Sequence, residues 1–319
     1  MKKNIIILTA ITLFALNGKG QKHNYQDLNI RCVYNTIQGR LYGQYVSYYS
    51  NGIKKAEGSF ANNCRIGIWT VWDSTGKIRM QREYENFLTY KRIIPPTPKD
   101  KPIELLNTPK YSLLYNNDGY IDCFNVKERM VIWSQRIWRF IEPNDNPLLF
   151  DNNKLFDIID RNIKTKNFVV YKDEEFMKPF IPVNYNSSAF NMIGYKVKED
   201  AFLDTERLLL ESIIIGICPV VVNIENKDTM DLFWIYFPDF RKVLAQEKTL
   251  QFYTPSYIKS FDDVFFFRYF YAQIYKESNM YDRPIAKYKS KEDIAKEAER
   301  IEMNILDTEH DFWISLTKK

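Results

Sequence analysis

The chain has 319 residues, 45% hydrophobic and 27% charged, enough for one large domain or two ordinary ones. A formal net charge of +5 gives no strong basic footprint for nucleic acid, and two histidines, His23 and His310, are too few for a usual zinc centre. The 22 Tyr, 22 Phe and 6 Trp suit a β-rich core and protein interfaces alike, since each ring buries about 150–250 Å².

Residues 1–20 read as a signal peptide. Lys2 and Lys3 form a basic start, Ile5 to Leu16 an apolar run, and Gly18 and Gly20 precede a cut ahead of Gln21. The run is shorter than the about 20 residues needed to cross a bilayer. No cysteine lies near the cut, so acylation is not expected. The expectation is an exported, soluble periplasmic protein with a mature charge near +2 once Lys2, Lys3 and Lys19 are removed. Cys32, Cys64, Cys123 and Cys218 remain, in a compartment that permits disulfides, and they allow three full pairings. Cys32 with Cys64 is the candidate pair. Cys218, inside I-I-I-G-I-C-P-V-V-V, reads as a buried free thiol.

Residues 43–86 repeat with a period of 24: Gly43, Tyr45, Gly52 and Phe60 recur as Gly67, Trp69, Gly76 and Tyr84. S-N-G-I-K-K (Ser50 to Lys55) and S-T-G-K-I-R (Ser74 to Arg79) are turn signals between alternating aromatic runs, the pattern of β-hairpins. The repeat resembles MORN-type repeats of the bacterial antidote-like kind, with Gly58 replaced by Arg82 in the second copy. Two hairpins bury too little alone, so residues 21–92 are expected to pack on a neighbour. Residues 93–102, with Pro95, Pro96, Pro98 and Pro102, predict a stiff linker to a second module, 103–319.

In that module Asp118-Gly119 predicts a hairpin turn; as a calcium loop it would have Leu114 at the first ligand position and no bidentate Glu. Strands are expected over Arg129–Phe140, Glu211–Ile224 and Asp231–Phe237, the last two as a hairpin. Leu155, Ile159 and Ile163 mark a helix. Ser260 with Asp263 forms a capping box for an aromatic helix reaching about Ser278. Ser290 with Asp293 starts a last helix whose stripe is Ile294, Ala298, Ile301 and Ile305. Irregular alternation of strands and helices makes the whole an α+β fold, hairpin repeats first and a mixed domain second.

Chemistry finds little support. Nucleophile elbows, phosphate loops and dinucleotide fingerprints are missing from the sequence. His310 beside Asp311 reads as a packing or capping residue, because adjacent helical side chains do not face each other. The pairs Asp262–Asp263 and Glu174–Glu175 read as helix-start acids rather than hydrolytic carboxylates. No catalytic, cofactor or metal residues are assigned. The segments richest in interface residue types are Trp133, Arg136, Trp138 and Arg139, and Tyr281, Asp282 and Arg283. Alternation places Trp133, Gln135 and Ile137 on one strand face and Ser134, Arg136 and Trp138 on the other.

Eight blocks in order carry a resemblance: W-S-Q-R-I-W-R (Trp133 to Arg139), L-F-D-I-I (Leu155 to Ile159), Y-K-D-E-E-F-M-K-P (Tyr171 to Pro179) and I-I-G-I-C-P-V (Ile214 to Val220). They continue with L-F-W-I-Y-F-P (Leu232 to Pro238), D-D-V-F-F-F-R-Y-F (Asp262 to Phe270), K-E-S-N-M-Y-D-R (Lys276 to Arg283) and E-H-D-F-W (Glu309 to Trp313). Over residues 120–319 the chain resembles the GldN/PorN family of gliding motility and type IX secretion. The resemblance implies a non-enzymatic periplasmic subunit that forms a ring with an outer-membrane lipoprotein of the GldK/PorK type. It also implies contact with the periplasmic part of a GldM/PorM-type inner-membrane protein. The hairpin repeats lie outside the family pattern. Two rivals are an exported antidote-like binding protein and an envelope-polymer hydrolase.

Overall fold

Two antiparallel sheets meet across the last helix of the chain. The computed structural model describes residues 20–27, 29–84, 90–95, 111–123, 126, 128–151, 154–165, 168–180, 189–205, 209–249 and 254–316. The expected signal peptide up to residue 19 and linker residues 96–102 lie outside the described residues, as does the Cys123 side chain.

The front sheet contains β1 (Gln21–Gln26), β2 (Arg31–Ile37), β3 (Arg40–Leu41), β4 (Gly43–Tyr48), β5 (Lys54–Ala61), β6 (Cys64–Trp72), β7 (Ile78–Tyr84) and β8 (Tyr90–Ile94). Its order is β1-β2-β4-β5-β6-β7-β8, with β3 paired to β2. The sequence period of 24 is a structural period. The Gly52 amide donates to Tyr49 C=O and the Gly76 amide to Asp73 C=O, each 2.9 Å, and both glycines sit at φ +84. Tyr45 and its counterpart Trp69 point to the same buried face. A Cβ on Gly58 would fall on the Trp69 ring, whereas Arg82, at the matching place, stacks on Tyr90 and Trp313 at 4.4 and 4.7 Å. Ile93 and Ile94 belong to β8 rather than to a linker.

A short hairpin follows, β9 (Tyr111–Tyr115) and β10 (Ile121–Cys123), turning at Gly119 with φ +88. The second sheet is built from β11 (Val131–Ile141), β12 (Val170–Tyr171), β13 (Pro179–Phe180), β14 (Phe190–Asp204), β15 (Leu209–Asn223), β16 (Thr229–Asp231), β17 (Trp234–Tyr236) and β18 (Gln273–Glu277). Its order is β13-β12-β17-β15-β14-β11-β18, with β16 on β15. The expected hairpin after Glu211 is present, but its return strand breaks into β16 and β17 at Leu232 and Phe233. The helices are α1 (Pro147–Phe150), α2 (Lys154–Lys164), α3 (Phe237–Gln246), α4 (Phe261–Phe266) and α5 (Ile294–Leu316). Helices α2, α3 and α4 cover one face of the second sheet, packing Leu155, Ile159, Phe240 and Phe265 with Ile141, Tyr195, Val197 and Ile217.

Helix α4 begins as expected, with Ser260 and Asp263 forming the capping box, but it ends at Phe266 rather than near Ser278. Arg268 takes φ +52, its amide donates to Phe265 C=O, and the Tyr269 amide donates to Val264 C=O at 2.8 Å. These are the two bonds of a Schellman stop. Glycine usually fills that place. Here Arg268 is held there while its guanidinium donates to Glu199 at 2.5 Å, and the chain re-enters the sheet as β18.

Helix α5 has 23 residues and extends about 35 Å. The expected stripe of Ala298, Ile301 and Ile305 packs on Ile137, Ala201 and Ile274 of the second sheet. A second set, Met303, Phe312, Trp313 and Ile314, closes the core of the front sheet with Tyr34, Tyr45, Phe60, Trp69 and Met80. The expected neighbour of the hairpins is therefore this helix. Lys55 pins it by pairs to Asp307 and Asp311 at 2.7 and 2.6 Å, and Arg65 by a pair to the buried Glu309.

His310 is buried among Tyr45, Trp69 and Trp313, and neither ring nitrogen has a hydrogen-bond partner among the described residues. Burial, with Arg65 and Lys55 nearby, holds its pKa well below the ordinary 6.5. The folded ring stays neutral while the unfolded chain takes a proton below about 6.5, so stability falls as pH drops through that value. The slope is at most about 1.4 kcal/mol per pH unit. A His310→Phe variant should melt with a flatter pH dependence between about pH 7 and pH 5, and an unchanged slope would place the proton uptake elsewhere.

The pairing of Cys32 with Cys64 is not formed. Both thiols are free, and two strands, β4 and β5, separate β2 from β6, so the crosswise spacing alone is about 14 Å, and the register adds an offset along the strands, beyond disulfide reach. Cys32 contacts Met303 Sδ at 3.5 Å and Cys64 the Phe267 carbonyl at 3.7 Å. Burial raises both thiols to about 12, away from thiolate chemistry. Cys218 is a buried free thiol packed with Trp138 and Trp234.

Candidate functional site

The face of the second sheet turned away from α2, α3 and α4 carries Arg136, Trp138 and Lys198 and is crossed by the segment between β12 and β13. That segment seats through Phe176, whose ring packs edge-on to Tyr171 and Tyr236 at 5.5 and 5.3 Å. Phe176 adopts φ +56, and a Cβ on Gly216 would come within 2.6 Å of its ring. Gly216 therefore gives the loop room to lie on the sheet.

Between this segment, β11, β14 and the turn after β18 lies a hollow of about 450 Å³, lined by Ser134, Arg136, Trp138, Glu174, Glu175, Asp200, Ser278 and Asp282. Its floor is Trp138. The indole Nε1–H donates to Glu174 Oε2 at 2.7 Å, and Lys276 Nζ stands 4.1 Å from the ring centroid. Lys276 also pairs with Glu174 at 3.2 Å and Asp282 at 2.8 Å. Lys198 Nζ donates to Glu174 C=O and Glu175 Oε1 at 2.7 and 2.8 Å. Arg136 clasps Asp200 through two bonds, 2.7 and 3.0 Å, and its pKa is raised by them. Burial alone would lower Lys276; the bonds to Asp282 and Glu174 outweigh it and raise it.

Partly exposed pairs of this kind contribute about 0–1 kcal/mol each. Their effect is positional: they fix the loop over Trp138. The rim is apolar. Met177, two residues past Glu175, is 77% exposed, and Met280, two residues before Asp282, is 91% exposed. The cations and carboxylates of the hollow are thus engaged in pairs with one another. Among the described residues, no group of three or more His, Cys, Asp or Glu side chains is placed to hold a metal ion.

Three of the residues singled out in the sequence, Arg136, Trp138 and Asp282, meet in this hollow. Tyr281 and Arg283 are exposed on the adjoining turn, the guanidinium 4.5 Å over the Tyr281 ring. Trp133 lies on the opposite face of β11, wedged where α5 meets both sheets. Arg139, on that same face, is an interior residue. It pairs with Glu199 and with Glu302 of α5, and Arg268 joins the cluster. Trp138 itself is only 3% exposed, so it supports the hollow more than it offers contact area.

Glu174 and Glu175, expected at a helix start, lie instead in this loop. The sequence did not mark their partners Lys198 and Lys276, nor Asp200, the partner of Arg136. Nothing local marks those three; they meet only because β14, β11 and β18 are neighbours. Yet four of the eight blocks quoted above, those containing Trp138, Glu174, Gly216 and Lys276, converge here. Asp262 and Asp263 do begin a helix. Asp263 caps it, while Asp262 makes a buried two-bond pair with Arg241, each bond 2.8 Å.

A larger cleft of about 680 Å³ lies between the two sheets, along α5, and includes Arg65, Arg139 and Arg268. Arg139 and Arg268 are drawn onto Glu199 and Arg65 onto Glu309, so each of these three cations is compensated. No helix among the described residues is long and apolar enough to cross a membrane.

The family model described as gliding motility associated protein GldN matches residues 126–314, more than half of the chain. No curated protein matches it. The matched span holds every residue of the hollow and runs to within two residues of the end of α5; the front sheet lies before it.

Proposed function

The chain belongs to the GldN family, a component of gliding motility and type IX secretion, and from this premise we propose that it is a non-enzymatic structural subunit which docks its partners through the Trp138 hollow. The carrying observation is the hollow itself: an aromatic floor locked by paired charges, with Met177 exposed on the loop that crosses this face. Interfaces draw on aromatic, Met and Arg side chains held rigid in this way. The partners proposed are an outer-membrane lipoprotein of the GldK/PorK type and the periplasmic part of a GldM/PorM-type inner-membrane protein, in a ring. Export to the periplasm belongs to the same proposal.

The test is co-purification from cells of tagged wild-type protein and of a Met177→Glu, Arg136→Ala variant. Both positions are at least partly exposed, so melting should change by less than about 1 kcal/mol. Truncating a binding hot spot costs at least about 2 kcal/mol, or some thirtyfold in affinity. Loss of the lipoprotein with an unchanged melt supports docking at the hollow. Equal recovery by variant and wild type removes the hollow from the interface, and recovery of a single toxin-like protein in place of machine components removes the subunit reading.

A further inference from the structure

The turn that follows β18 holds an apolar tip away from the protein. Asn279 braces it: Oδ1 accepts from the Tyr281 amide at 3.0 Å, while Nδ2 donates to the carbonyls of Glu277 and Arg283 at 3.1 and 3.3 Å. The Asp282 amide donates to Asn279 C=O at 3.0 Å, with Asp282 at φ +47 and its carboxylate tied to Lys276. So fixed, Met280 is 91% and Tyr281 68% exposed. Ile285 is buried and anchors the next turn, after which Tyr288 is again exposed.

Charge is concentrated on the same stretch. Residues 279–291 contain Arg283, Lys287, Lys289 and Lys291 against Asp282 alone, a net +3 in a chain whose whole formal charge is +5. Asp282 is committed to Lys276. Of the four cations, Lys289 pairs with Glu297 at 3.2 Å; the other three are in no ion pair among the described residues. Unlike the hollow beside it, this segment is a convex tip flanked by long, exposed, mostly lysine side chains. A folded acidic partner would need a socket shaped to the tip. A fluid anionic surface needs only apolar side chains to insert and cations to meet phosphates.

We propose that residues 279–291 dock the protein peripherally on an anionic phospholipid membrane. Met280 and Tyr281 enter the headgroup region, and Arg283, Lys287, Lys289 and Lys291 lie over lipid phosphates. The proposal is independent of the subunit reading, because it uses the turn and not the floor of the hollow.

Flotation of the purified full-length protein with vesicles tests it. One set contains phosphatidylethanolamine with phosphatidylglycerol, the other phosphatidylcholine alone. The protein should float with the anionic vesicles at low salt, less at high salt, and stay behind with the neutral ones. Reversing Lys287, Lys289 and Lys291 to Glu should lower partitioning at least a hundredfold. A Met280→Ser, Tyr281→Ser variant, which alters exposed side chains only, should lower it at least tenfold with an unchanged melt. Wild-type protein that ignores anionic vesicles overturns the proposal, as does an apolar-tip variant that floats as well as wild type. Capture by an acidic polypeptide without vesicle binding would assign the turn to a protein partner instead.

Discussion

Trp313→Ala should destabilise the protein by about 3–5 kcal/mol, the cost usual for removing a buried aromatic side chain, and the loss should fall first on the front sheet. Trp313 is 1% exposed and is where α5 closes the hairpin core. Its ring takes the guanidinium groups of Arg65 and Arg82 at 5.2 and 4.7 Å and stands 5.6 Å from His310. Truncation therefore opens a cavity in the core that holds Trp69 and strips the buried Arg82 and the partly buried Arg65 of a stacking partner. Hydrogen exchange resolves where the damage falls. Amides of β4 to β7 should lose protection while those around Tyr195, Val197, Ile214 and Ile217 in β14 and β15 keep theirs, because these four belong to a separate core. A melt within about 1 kcal/mol of wild type, or uniform loss of protection, would show that the front sheet holds itself together. The same reasoning makes residues 20–94 an incomplete unit, since four members of their core are supplied from α5.

What the sequence made legible was local. Gly52 and Gly76 mark two equivalent turns, Ser260 and Asp263 write out a capping box, and Ile294 to Ile305 trace one helical stripe; each is set by neighbours a few residues away. The second set of α5 was not legible, although E-H-D-F-W was conspicuous. Met303, Phe312 and Trp313 make sense only against Tyr34, Tyr45 and Trp69, more than 230 residues earlier. The end of α4 was hidden for a different reason. D-D-V-F-F-F-R-Y-F contains no glycine, and the stop depends on Arg268 reaching Glu199 on another strand. The hollow was half legible. Composition picked out Arg136, Trp138 and Asp282, while period-2 alternation separated Arg139 from them without showing that its face was interior. Disulfide geometry cannot be read from spacing, and Cys32 and Cys64 illustrate why: both are on hairpin strands, but on strands that do not pair.

Glu199→Gln should destabilise by about 3–5 kcal/mol, the cost of leaving buried charges without their counter-ion. Glu199 is 0% exposed, bonded to Arg139 on one side and Arg268 on the other, and Arg139 continues to Glu302 of α5. Burial would raise its carboxyl, but Arg268 and Arg139 override it and bring the pKa down to about 2 from an ordinary 4.5. The sign follows directly. Below pH 4.5 the unfolded chain takes up a proton that the folded one refuses until about pH 2, so this stabilisation is complete above 4.5 and drains away between those values. The full swing is about 3 kcal/mol, and the Gln variant should lack it. Arg136→Ala is the control on β11, three residues from Arg139 and on the other face of that strand. Its pair with Asp200 is about a third exposed on both sides, so its loss should cost no more than about 1 kcal/mol. A large effect at Glu199 with a small one at Arg136 assigns one face of β11 to the joint with α5 and the other to the surface. If Glu199→Gln instead melts like wild type with an unaltered acid limb, the cluster is solvated, and Arg139 returns to the set of residues available to a partner.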